Sequence, residues 1–95
     1  MAHEGLYEAA SDLPEESRDL HRAIVSLIEE LEAIDWYQQR VNACKNKELQ
    51  AILAHNRDEE KEHAAMLIEW IRRADPTFSK ELKNHLLADK PIAHE

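Results

Sequence analysis

The chain has 95 residues, 43% of them apolar and 34% charged, which suits one small folded domain or one subunit of an assembly and excludes a disordered tail. One glycine and three prolines are too few for the turns of a strand-rich fold, and the abundant Glu, Leu, Ala and Lys favour helix, so the expected fold class is all-α. Twelve Lys and Arg against 20 Asp and Glu leave a net charge of −8, which argues against a phosphate-binding face for nucleic acid and is compatible with cations.

Residues 1–13 are mixed and polar and are expected to form a mobile or loosely docked arm. Residues 14–90 read as one helical domain. Pro14 suits a first helical turn, Glu15 and Glu16 suit its positive dipole end, and the helical pattern then runs to about Cys44. The weak break at Asn42–Asn46 places a turn over Cys44–Lys47. A second helix is predicted from Lys47 to Ala74, with Arg72 and Arg73 at its C-terminus and Asp75-Pro76 as its stop. Asp75 can cap a third helix carrying Phe78, Leu82, Leu86 and Leu87, which Pro91 ends, leaving 91–95 as a tail.

Two helices of roughly 40–48 Å joined by a short turn make an antiparallel hairpin. A bare hairpin cannot cover its apolar stripes, so a dimer forming a four-helix bundle is expected. No apolar run approaches the ~20 residues of a membrane helix. Cys44 is the only cysteine, which excludes an intrachain disulfide and fits a reducing, cytoplasmic setting; no secretory signal is visible.

Polar residues fall on the apolar rows. In the first helix Ala23, Leu27, Glu30, Ile34, Tyr37, Val41 and Cys44 alternate four and three, and Glu30 is the misfit. In the second, Leu49, Leu53, Asn56, Glu60, His63, Leu67 and Trp70 do the same, with Glu60 and His63 as Glu-x-x-His. In an antiparallel hairpin Glu30 should meet Glu60 and His63. Burying these groups uncompensated costs several kcal/mol. A cation removes that cost, and iron, manganese and zinc all accept carboxylate and imidazole. Di-iron carboxylate bundles use one Glu from each of two helices and Glu-x-x-His from each of the other two. One chain supplies half of that set and a twofold dimer supplies all of it. The competing reading is a buried Glu–His or Glu–Arg network that sets the register of a non-catalytic dimerisation module; a third is a metal-binding protein without turnover.

Other residues carry less. Tyr37, two turns from Glu30 on the same face, either hydrogen-bonds a ligand carboxylate or packs. Trp36 reads as packing or interface. Glu29 and Glu32 flank the row, where spacing favours a solvated face over a cation approach path. His55 has no support from spacing for an outer role. His3, His21, His85 and His94 read as ordinary polar residues, and Cys44 as a small apolar filler.

The run His21-Arg22-Ala23-Ile24-Val25-Ser26, followed by Glu29 through Tyr37, resembles the first helix of encapsulated ferritins. The segment Ala51 through Met66, with Ala54-His55-Asn56-Arg57-Asp58-Glu59-Glu60-Lys61-Glu62-His63 at its centre, resembles their second helix, and Glu69-Trp70-Ile71-Arg72-Arg73 also fits. The resemblance spans about residues 14–92. It implies iron ligands at Glu30, Glu60 and His63, a site-adjacent aromatic pair at Trp36 and Tyr37, and carboxylates through which iron approaches at Glu29 and Glu32. It implies a di-iron site at a twofold interface that oxidises Fe(II) with dioxygen for iron storage or detoxification; by ligand type, zinc, manganese or calcium are expected to be able to take the place of iron. It further implies an open ring of dimers, typically a decamer, working with an encapsulin shell. Shell-bound members commonly end in a targeting peptide. This chain ends at Pro91-Ile92-Ala93-His94-Glu95 without one, so the expectation is a cytoplasmic protein reaching an encapsulin nanocompartment by fusion, through another partner or not at all.

Overall fold

The structure is a computed structural model that describes residues 5–93. His3 and His94, and the ends of the expected arm and tail, lie outside the described residues. Within them a 3-10 turn at Ala10–Asp12 precedes three α-helices, α1 (Glu15–Ala43), α2 (Lys47–Ala74) and α3 (Pro76–His85), and no strand is present. The all-α reading therefore holds. The helix starts follow the local chemistry. Pro14 stands at the N-cap of α1 with Glu15 and Glu16 in the first turn. Asn46 Oδ1 accepts from the Leu49 N–H at 3.0 Å, and Asp75 Oδ1 accepts from the Phe78 N–H at 3.0 Å with Pro76 behind it.

α1 and α2, 29 and 28 residues long, are each about 42 Å. They pack along their length as an antiparallel hairpin, and α3 packs on α2. Gln50 ties the hairpin loop: its Nε2 donates to the Val41 carbonyl at 2.8 Å and the Cys44 carbonyl at 3.2 Å, two acceptors that the end of α1 leaves unpaired.

Two expectations need correction. α3 stops at His85, ahead of Pro91. Leu86 closes the last turn by donating its N–H to the Leu82 carbonyl, and Leu87 turns left-handed at φ 56°. Leu87 is fully exposed and Leu86 largely so; a further turn would bury nothing, and short helices persist only by packing. The contact face of α2 is also rotated. The buried residues are Ala64 and Ile71, one position beyond His63 and Trp70, while Trp70 and Leu49 are exposed. Gln50, Arg57, Ala64 and Ile71, seven apart, are half-buried or buried and face α1; of the predicted row Leu53, Asn56, Glu60, His63 and Leu67 stay half-buried beside them, while its ends Leu49 and Trp70 are exposed.

The chain's own core is correspondingly thin. Among the described residues Ala23, Val25, Ala64 and Ile71 are the buried apolar ones, and of these only Ile71 is a large side chain below 2% exposure. Ile24, Leu31, Trp36, Leu49, Ile52, Met66 and Trp70 stay exposed along the two long helices.

Glu69 anchors the α2–α3 corner. Its carboxylate accepts from Arg72 Nε at 2.6 Å and from Arg73 Nε at 2.6 Å, and Arg72 Nη1 donates to Ser79 Oγ at 3.2 Å on α3. Hydrogen bonds from Arg72, then Arg73, hold the Glu69 carboxyl at about 2 against an ordinary 4.5. A carboxyl depressed by folding stabilises fully above its unfolded value and loses that contribution as the pH falls through the folded one. Between pH 4.5 and about 2 the corner should loosen. Glu69→Gln should remove that part of the acid transition, read as the difference between the far-UV circular dichroism titrations of the two proteins.

Candidate metal centre

Glu30 stands near the middle of α1, and Glu60 and His63 near the middle of α2, on successive turns. The antiparallel pairing brings them together. His63 Nδ1 lies 3.4 Å from Glu60 Oε2 and 3.5 Å from Glu30 Oε2. One ligand-type atom from each of the three falls within 4.8 Å of the others. Both glutamates keep 24% of their side-chain exposure and His63 keeps 43%, so the cluster is half-buried and open on one side.

This cluster is short of positive charge. Ionised carboxylates only accept, and a single Nδ1 proton can serve one of them at a time. Glu30 Oε2 is buried and has no hydrogen-bond partner. Such an orphaned acceptor costs about 1–3 kcal/mol unless something positive reaches it. Two carboxylates and an imidazole form a donor set that divalent iron, manganese and zinc accept, so the residues present fit a metal ion. The open side carries Ile52, eleven residues before His63, and Met66 and Trp70, three and seven after it, all exposed and on the same side of α2. The cluster and the uncovered apolar surface thus share one face.

The flanking residues fall as follows. Glu29 and Glu32 are half-buried beside Glu30 but outside the ligand cluster. Tyr37 is half-buried, with the Arg40 guanidinium 5.2 Å above its ring centroid, and the fold does not bring it into the cluster of one chain. Trp36 is half-exposed. His55 pairs with Glu59 at 3.3 Å on the exposed side of α2, apart from the centre. Cys44 donates its thiol to the Asn46 carbonyl at the loop.

Sequence reasoning passed over Gln50, Arg57 and Gln38. Arg57 Nη1 donates to Gln38 Oε1 across the hairpin at 3.2 Å. Their signal was the seven-residue repeat that Gln50 and Arg57 share with Ala64 and Ile71, which polar side chains disguise.

A family model described as EncFtn-like matches residues 5–89. An encapsulated ferritin-like protein of Rhodospirillum rubrum is 57% identical over 86 residues, covering 90% of this chain and 61% of that protein. An encapsulin nanocompartment cargo protein of Myxococcus xanthus is 48% identical over 66 residues, 68% of this chain and 51% of that protein. The chain therefore spans between half and two thirds of the length of these relatives. The crystal structure of protein ne0167 from Nitrosomonas europaea superposes with a TM-score of 0.90 at 71% identity, covering 95% of this chain and 99% of that one. No helix among the described residues is long and apolar enough to cross a membrane. Match, identity and superposition agree with the residues that meet at the hairpin's edge: the chain belongs to the EncFtn-like family, the encapsulated ferritins.

Proposed function

We propose that this protein is a ferroxidase, oxidising Fe(II) to Fe(III) with dioxygen at a two-iron site shared across a homodimer. The observation that carries the reading is the meeting of Glu30, Glu60 and His63 around a buried carboxylate oxygen that accepts no hydrogen bond. Each chain brings two carboxylates and one imidazole. Two chains facing each other across that edge bring four carboxylates, which balance two divalent cations, and two terminal nitrogens. Iron is the substrate: two Fe(II) give up one electron each, and dioxygen takes both. The chain's part is to hold the two ions at a set separation and leave positions open for oxygen. Tyr37 orients a ligand carboxylate across the interface and Trp36 packs beside it. Glu29 and Glu32 raise the local Fe(II) concentration by their charge. The uncovered apolar side chains supply the dimer contact and, on further faces, a ring of dimers such as a decamer. The names of the relatives favour work inside an encapsulin shell for iron storage or detoxification.

The proximity of His63 Nδ1 to both carboxylates favours one alternative, a Glu–His network that merely sets the register of a structural dimer. Adding Fe(II) aerobically to metal-free protein separates the two. Fast growth of ferric absorbance, saturating near one iron per chain, is the expected result. No stoichiometric iron and no oxygen uptake would leave the structural dimer. Tight zinc, manganese or calcium binding without oxidation would leave a metal-binding protein without turnover.

A further inference from the structure

We propose that Arg57 is a positioning residue of the metal centre, clamping α2 to α1 through Gln38 so that Glu60 and His63 are held at a set distance from Glu30; the proposal rests on the reading of those three as ligands. Polar links cross the hairpin at Gln50, at Arg57 and at His63, about two turns apart along α2. The apolar contacts between them are non-directional and permit small slides of one helix past the other. Hydrogen bonds are directional and do not.

The Arg57 link is built to be stiff. On its own helix, Asp58 accepts from the Arg57 Nε at 3.0 Å and from Nη2 at 3.5 Å, which fixes the plane of the guanidinium. On the other helix, Gln38 receives the Arg57 Nη1 at 3.2 Å and donates its own Nε2 to Asn42 Oδ1 at 3.1 Å. The chain Asp58–Arg57–Gln38–Asn42 thus runs from α2 to α1. Arg57 is 19% exposed, stands one turn before Glu60, and precedes by seven residues the buried Ala64 beside His63. A ligand set performs only when held to about half an ångström, and a neighbouring bonded pair is what holds it.

A clamp and a stabilising bond predict different things. The partners that Arg57→Leu strands can turn to water, Asp58 being 60% exposed and Gln38 only half-buried, so the loss costs the fold little. Arg57→Leu should therefore keep its melting temperature while its affinity for Co(II), used alone as the probe, falls by about tenfold, as when an outer partner of a metal ligand is removed. The visible absorption of the Co(II) complex, which reports coordination geometry, should change shape. Arg57→Lys keeps the charge but loses the fork and should not restore either signal. Gln38→Leu should match Arg57→Leu, and the double variant should be no worse than either single one.

Unchanged Co(II) affinity and spectrum in Arg57→Leu, with wild type binding normally, would overturn the clamp and leave the ligand reading standing. So would full recovery by Arg57→Lys, which would point to charge, or additive losses in the double variant. Loss of the folded state in Arg57→Leu together with normal binding by Gln38→Leu would make Arg57 a structural residue and equally overturn it. Absence of Co(II) binding by wild type would overturn the ligand reading itself and the clamp with it.

Discussion

Glu60→Ala and His63→Ala are each expected to abolish fast aerobic Fe(II) oxidation while leaving the protein helical. In the proposed centre, shared by two identical chains, one substitution removes a ligand from both halves. The loss should exceed about 100-fold, the upper end of the cost of removing an outer partner of a ligand, because here the ligand itself is gone. The helix should tolerate the change. Alanine is the best helix former, and Glu60 and His63 are only half-buried at the edge of the hairpin. Ferric absorbance after Fe(II) addition, measured beside far-UV circular dichroism, reads both properties on one sample. Wild-type rates in either variant would remove that residue from the ligand set.

Glu30→Leu should move stability and function in opposite directions. In the metal-free chain Glu30 Oε2 is buried with no hydrogen-bond partner, a penalty of about 1–3 kcal/mol. Against this, Glu30 has an ion-pair contact of 3.5 Å with a His63 that is 43% exposed, and such pairs contribute about 0–1 kcal/mol. The penalty outweighs the ion pair. Leucine, close in bulk and set among Leu27 and Ile34 on the same row, should raise the stability of metal-free protein by about 1 kcal/mol, or about 4–8 °C in melting temperature for a domain of this size. The same variant should lose stoichiometric iron and fast oxidation. Thermal melts of metal-free wild type and variant at one protein concentration check the first part, and the Fe(II) titration checks the second. A fall in melting temperature would mean that Glu30 already works in a satisfied structural pair and does not await a cation.

The opposition expected at Glu30 explains why the site could be read from residue order. A carboxylate on an apolar row conflicts with burial, and such a conflict persists where chemistry needs it. The helices were legible for a different reason. Asp75-Pro76 and Asn46 act through their own backbone neighbours, so caps and stops are local properties of the chain. The end of α3 was not legible, because Leu86 and Leu87 look like core residues and only the absence of a surface to pack on leaves them outside the helix. The rotated face of α2 escaped for a related reason. Glu60 and His63 alternate with leucines and draw the eye to their row, whereas Gln50 and Arg57 look like solvent residues although they stand on the face that meets α1.

From the order of its residues, then, the chain determined three helices, a hairpin, the family to which it belongs and the meeting of Glu30 with Glu60 and His63. Each of these depends on spacing along one helix or on the distance from one turn. The tertiary structure decided which side of α2 packs deepest on α1, where α3 ends, that Glu30 Oε2 accepts no hydrogen bond and that Arg57 reaches Gln38. These depend on how two helices rotate about their own axes as they pack. A rotation of a fraction of a turn leaves every periodicity in the sequence unchanged while shifting which side of the row packs deepest.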